Sequence, residues 1–113
     1  MKKIEAVVRP QSLQDVLTAL DKAGYPGIMV TEIEGHGRQK GLTQQWRGQE
    51  YKLDLLPKVK VEVVVTDKQA DDIIKTIVSV TKTGQIGDGK IFISEVADVL
   101  RIRTGEKGEL ALG

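Results

Sequence analysis

The chain has 113 residues, 40% of them hydrophobic and 29% charged, with a net charge of +1 and no cysteine. This length predicts one domain over residues 1–113, large enough for a core but modestly stable alone, so association of copies would help. The missing cysteines exclude a disulfide framework and thiolate metal sites, and the near-zero net charge weighs against broad nucleic-acid binding.

The missing cysteines fit a cytoplasmic setting, and the opening MKKIEAVVRP lacks the long apolar run of a signal peptide or membrane span. Lys3-Ile4-Glu5-Ala6-Val7-Val8 alternates and is rich in β-branched residues, which predicts a strand that Pro10 closes. Ser12 is a candidate cap for a helix with Asp15 in its first turn and an apolar face of Leu13, Val16, Leu17 and Leu20. Gly24 and Pro26-Gly27 end it, and Ile28 to Ile33 reads as a second strand.

A long polar connection follows, from Gly35 to Lys58. Structureless connections of this length are uncommon in small domains and are usually functional or disordered. This one carries the only Trp (Trp46), the only His (His36) and one of the two Tyr (Tyr51). A passive linker has no use for them.

The pattern then repeats. Lys60-Val61-Glu62-Val63-Val64-Val65 echoes the first strand, and Asp67 is a candidate cap for a helix with Ala70, Ile73, Ile74, Ile77 and Val78 on one face. Around Gly84 the helix breaks, and Lys90 to Ile93 starts a fourth strand. Two βαβ halves predict an α+β, ferredoxin-like βαββαβ fold: a four-stranded antiparallel sheet with both helices on one face. Glu5 and Glu62 then point to the open face together with Val7 and Val64, a mixed surface that suggests contact with another subunit.

TGQIGDGKIFI, residues 83–93, matches the front of a P-loop through Gly84, Gly89 and Lys90. Two features defeat that reading. A P-loop needs Ser or Thr after the Lys, for magnesium, and a helix after the glycines; here Ile91 and a strand follow. The loop chemistry survives, because glycines let successive N–H groups turn inward around an anion while Lys90 adds charge. Arg101 and Arg103 would put two guanidinium forks on the same side of an extended segment, unless they pair with Glu106 or Glu109. With Gly35, Gly37, Arg38, Gln39 and Lys40, these clusters suggest a polyphosphate ligand.

GRQKGLTQQWRGQEYKLDLLPKVKVEVVV, TGQIGDGKIFI and RIRTGEKGE, after the opening MKKIEAVVRP, closely resemble the PII signal-transduction proteins of nitrogen metabolism. The resemblance implies a homotrimer that binds ATP or ADP between subunits, and 2-oxoglutarate together with Mg-ATP. Residues 35–55 match the protruding T-loop, 83–90 the B-loop and 101–109 the C-loop. Carried over by position, Gly87, Asp88, Gly89 and Lys90 would wrap the phosphates, with Arg101, Ile102 and Arg103 reaching from the neighbour. Met29, Gly37, Arg38 and Val64 would complete the nucleotide cleft. Gln39 matches the magnesium contact, and Lys58 the cation for a 2-oxoglutarate carboxylate, with Lys40, Gly41 and Gly87 beside it. Tyr51 falls where many relatives carry a uridylyl or adenylyl group. The implied partners are ammonium transporters, nitrogen-metabolism enzymes and transcription factors, with membranes met only through a transporter.

The chain departs from the family in three places. Gln49 removes a seryl phosphorylation site, Trp46 replaces a usual Tyr, and Met29 a common Thr; His36 carries no assigned role. No clustered carboxylates or Ser/His pair supports enzyme catalysis, so a regulator is expected, with a different effector or weak ATPase activity as the alternative. An RNA-binding module of the same topology would stack bases on sheet aromatics, and aromatic residues are only 4% of this chain.

Overall fold

In the computed structural model, which describes residues 1–25, 27–35, 42–46, 49–53 and 56–113, the first alternating run forms β1 (Lys2–Val8). The order then runs α1 (Leu13–Lys22), β2 (Met29–Gly35), β3 (Leu42–Trp46), β4 (Gln49–Leu53), β5 (Leu56–Val65), α2 (Asp67–Thr81) and β6 (Lys90–Glu95). The main sheet has the order β2-β5-β1-β6, and every neighbouring pair in it is antiparallel. This is the expected α+β, ferredoxin-like fold.

The period-2 pattern explains the layers. Ile4, Ala6 and Val8 of β1 and Val59, Val61, Val63 and Val65 of β5 turn to one face and are buried there. Val16 and Leu20 of α1, with Ala70, Ile73 and Ile77 of α2, close over them as one cluster. Burying each large side chain stabilises the fold by about 1.5–3 kcal/mol, so the two helices are held by packing rather than by propensity.

The helix starts correct two expectations. Ser12 stands at the N-cap position of α1 but makes no side-chain cap bond, because a 3-10 turn, Pro10–Ser12, leads into the helix. For α2 the cap is Thr66 rather than Asp67: the Thr66 hydroxyl accepts from the Gln69 N–H, and the Gln69 amide accepts from the Thr66 N–H. Asp67 is the first helical residue, where a carboxylate complements the helix dipole. Thr66→Ala is expected to cost about 1 kcal/mol in urea denaturation, the usual worth of such a cap.

The connection after β2 is also not structureless. Leu42–Trp46 and Gln49–Leu53 pair antiparallel as a separate two-stranded sheet, with Gln44 opposite Tyr51. Neither LTQQW nor QEYKL carries the regular apolar alternation of the main-sheet strands.

The open sheet face carries a compact ion-pair ladder. Lys3 lies 3.3 Å from both Glu5 and Glu62, while Lys60 lies 3.0 Å from Glu62 and 3.9 Å from Glu5. Hydrogen bonding from Lys60 and then Lys3 holds the Glu62 carboxyl below its ordinary range. Val7 and Val64 share this half-buried face, and Met29 and Phe92 at its borders are 53% and 55% exposed. Charge in the middle and apolar side chains at the edges make up the mixed surface expected from the sequence. No helix among the described residues is long and apolar enough to cross a membrane.

Candidate functional site

The loop between α2 and β6 is built by glycine backbone and one carboxylate. Gly84, Gly87 and Gly89 have φ of 85°, 102° and 109°, a region that L side chains rarely adopt. Asp88 closes the turn on itself: one oxygen accepts from the N–H groups of Thr83 and Gly84 at 2.8 and 2.9 Å, the other from the Thr83 hydroxyl. Arg9, just past the end of β1, donates to Asp88 Oδ1 at 2.8 Å and to the Ile86 carbonyl at 3.0 Å. These donors, the Thr83 hydroxyl first and then Arg9, hold the Asp88 carboxyl well below the usual carboxylate range. Its negative charge is therefore spent inside the loop.

Lys58 approaches from β5 and donates to the Gly87 carbonyl at 3.3 Å. Partial burial, and then the charge of Arg9, push its ammonium pKa down. A partly buried ammonium of this kind would gain from an anion beside it. Lys58 also lines a groove of about 550 Å³ with Glu32, Ile33, Glu34 and Pro57. On the helix side of the loop, Asp88, Gly89 and Lys90 rim a cleft of about 370 Å³ floored by Val8, Ile74 and Val78.

The C-terminal segment is a tight turn, not the extended run expected from the sequence. Leu100 bridges to Lys107, the Arg101 N–H donates to the Glu106 carbonyl at 2.8 Å, and the Gly105 N–H to the Arg101 carbonyl at 2.8 Å. Arg101 and Arg103 therefore do not share one side of a strand. Arg101 folds inward onto Glu106 at 2.8 Å, while Ile102 and Arg103 are exposed at the tip. Within one chain, no recorded hydrogen bond or ion pair of the described residues joins this turn to the 83–90 loop.

Of the residues singled out from sequence, Gly87, Asp88, Gly89 and Lys90 thus share one loop, and Lys58 reaches it. Val64 lies on the open face opposite Lys3, and Met29 starts β2 opposite Glu62. Tyr51 is placed by backbone only, on β4. Gly37, Arg38, Gln39, Lys40 and Gly41 lie outside the described residues. The reading by sequence passed over Arg9 as a partner of the loop, since 79 residues separate it from Asp88. Only the pairing of Val7 with Lys90 across β1 and β6 brings the two together.

Residues 1–106 match the family model described as Nitrogen regulatory protein P-II. The chain belongs to the nitrogen regulatory P-II family. It is 54% identical over 112 residues to Nitrogen regulatory protein P-II 2 of Methanothermobacter thermautotrophicus, spanning 99% of this chain and 97% of that protein. It is similarly 53% identical to Nitrogen regulatory protein P-II 1 of Escherichia coli K12, over 99% of this chain and all of that one. Among solved structures, Arabidopsis thaliana PII, crystallised with citrate, superposes with a TM-score of 0.79 at 40% identity, covering 98% of this chain and 88% of that one. Membership in P-II makes a regulatory protein of nitrogen metabolism the coarse functional class of this chain.

Proposed function

We propose that this P-II protein is a cytoplasmic homotrimeric sensor that binds ATP or ADP and, with Mg-ATP, 2-oxoglutarate, and controls partners through residues 35–55. The observation that carries this reading is the glycine loop. Its own carboxylate accepts from Thr83, Gly84 and Arg9, and Lys58 is partly desolvated beside it, donating to the Gly87 carbonyl at 3.3 Å. Such a loop suits phosphate, because glycine backbone can turn N–H groups toward an anion while Lys90 adds charge.

In this reading Gly87, Asp88, Gly89 and Lys90 surround the phosphates, and Arg101, Ile102 and Arg103 come from a neighbouring copy. The mixed open face, with Val7, Val64 and the ion-pair ladder, is the surface that a trimer would cover. Met29, Gly37, Arg38 and Val64 would complete the cleft, and Gln39 would help hold magnesium, which typically takes few protein ligands. Lys58 pairs with one carboxylate of 2-oxoglutarate, and Lys40, Gly41 and Gly87 hold the rest. Each ligand biases residues 35–55 only by its differential affinity for their conformers. Ammonium transporters, nitrogen-metabolism enzymes or transcription regulators read the outcome, and Tyr51 is the site for a nucleotidyl modification.

Citrate bound to the Arabidopsis PII favours one variant of this reading, in which another small carboxylate takes the place of 2-oxoglutarate. Calorimetric titration separates the two. With Mg-ATP present, 2-oxoglutarate should bind; without it, binding should vanish. Lys58→Gln should weaken the 2-oxoglutarate step by about tenfold while sparing ATP, the scale of one charge-assisted hydrogen bond. Binding of ATP with no response to 2-oxoglutarate would leave the nucleotide site and remove that effector. ATP turnover well above background would instead favour the enzyme reading.

A further inference from the structure

Arg101 carries more acceptors than a surface arginine needs. Its Nη1 donates to the Glu106 carboxylate at 2.8 Å, and its Nη2 donates to the Leu110 carbonyl at 2.9 Å and the Gly113 carbonyl at 2.5 Å. The two arms of the turn are fixed independently by backbone bonds between Arg101 and Glu106 and between Gly105 and Arg101. The guanidinium is thus held through both Nη nitrogens by a carboxylate and two main-chain oxygens of its own chain, using donors that could otherwise take phosphate oxygens.

We propose that Glu106, with the Leu110 and Gly113 carbonyls, is a built-in competitor for Arg101 that sets the affinity of this chain for polyphosphate ligands. The proposal rests on the reading that Arg101 serves a phosphate site. Binding is then an exchange: the guanidinium leaves the Glu106 carboxylate and the two carbonyls and takes phosphate oxygens. Glu106 is 41% exposed at its side chain, so water rehydrates its carboxylate once the arginine leaves. A weakly charged anion gains too little from Arg101 to displace a carboxylate already in place. A polyphosphate, with several charges in reach of one fork, gains enough. Glu106 therefore lowers the affinity for every anion and raises the threshold for the less charged ones.

The turn does not depend on the Glu106 carboxylate, because its main-chain bonds remain when that charge is removed. Glu106→Gln keeps the shape of the side chain and removes the competing charge. Partly exposed pairs of this kind are weak, so the variant should bind ATP, and inorganic tripolyphosphate, roughly two- to fivefold more tightly than the parent. Glu106→Ala should do the same. In an Arg101→Gln background the gain should disappear. Unchanged or weaker binding in folded Glu106→Gln, with circular dichroism as the check, would overturn the competitor role; weaker binding would make Glu106 an aligner of Arg101 instead. If the parent chain binds neither ATP nor tripolyphosphate, the nucleotide reading falls and takes this proposal with it. If it binds ATP but ignores Glu106→Gln, only this proposal falls.

Discussion

Replacing Gly89 by alanine is expected to destabilise the fold by roughly 2–4 kcal/mol, because the new methyl has nowhere to go. A Cβ on Gly89 would collide with the Val7 carbonyl oxygen and lie 3.0 Å from its carbon. Val7 is locked between Lys60 and Lys90 in the register of β1, so this neighbour cannot yield as a flexible side chain would. The φ of 109° adds backbone strain to the clash. Gly84→Ala is the internal comparison: it has a φ of 85° but nothing within 4 Å, so it should cost only about 1 kcal/mol. Urea denaturation of both variants separates the contributions. Equal losses would mean that positive φ alone matters and that the approach to Val7 is tolerant.

The second large effect is expected at Asp88, where two arguments give opposite signs. A loop meant to bind anions should gain from losing a carboxylate, so simple Coulomb reasoning predicts that Asp88→Asn tightens phosphate binding. The hydrogen bonds predict the reverse. The Asp88 charge is already matched by Arg9, the Thr83 hydroxyl and two backbone N–H groups, so little of it reaches a ligand. What the substitution removes is the pin that holds Thr83, Gly84 and Ile86 in place, through Arg9 for the last. A loop that must be ordered by its ligand binds more weakly, here by about a hundredfold for ATP. Tighter binding in Asp88→Asn would sink the pinning role.

The same carboxylate has a pH signature. In the unfolded chain Asp88 would protonate near pH 4, whereas in the fold its partners keep it ionised well below that. The network therefore contributes fully to stability above about pH 4 and loses that contribution as the pH falls further. The Asp88 carboxyl carbon, followed by NMR, should show no titration across the ordinary carboxylate range. A midpoint near 4 would mean that the network is not formed in solution.

Much of this was legible along the chain because the signals are local. Alternation in Lys3 to Val8 and Lys60 to Val65, and the apolar faces of the two helices, follow from side-chain periods of 2 and 3.6 residues. The glycines at 84, 87 and 89 announced a loop of unusual backbone, and the bordering Lys90 announced charge. The hairpin in the long connection was harder to see, since its strands carry few apolar residues and pair with each other rather than with the core.

By itself, then, the sequence determined the order of the elements, the face each buries and the presence of a glycine loop bordered by a cation, because each depends on spacing over a few residues. The tertiary structure alone decided which charges meet. Arg9 reaches Asp88 because β1 and β6 are antiparallel neighbours, and Lys58 reaches Gly87 from a third strand. Arg101 turns back to Glu106 because the chain reverses at Gly105, where spacing alone had suggested an extended pair of arginines. An ion pair falls steeply with distance through water, so its partners are set by where the backbone ends up rather than by neighbours in the chain.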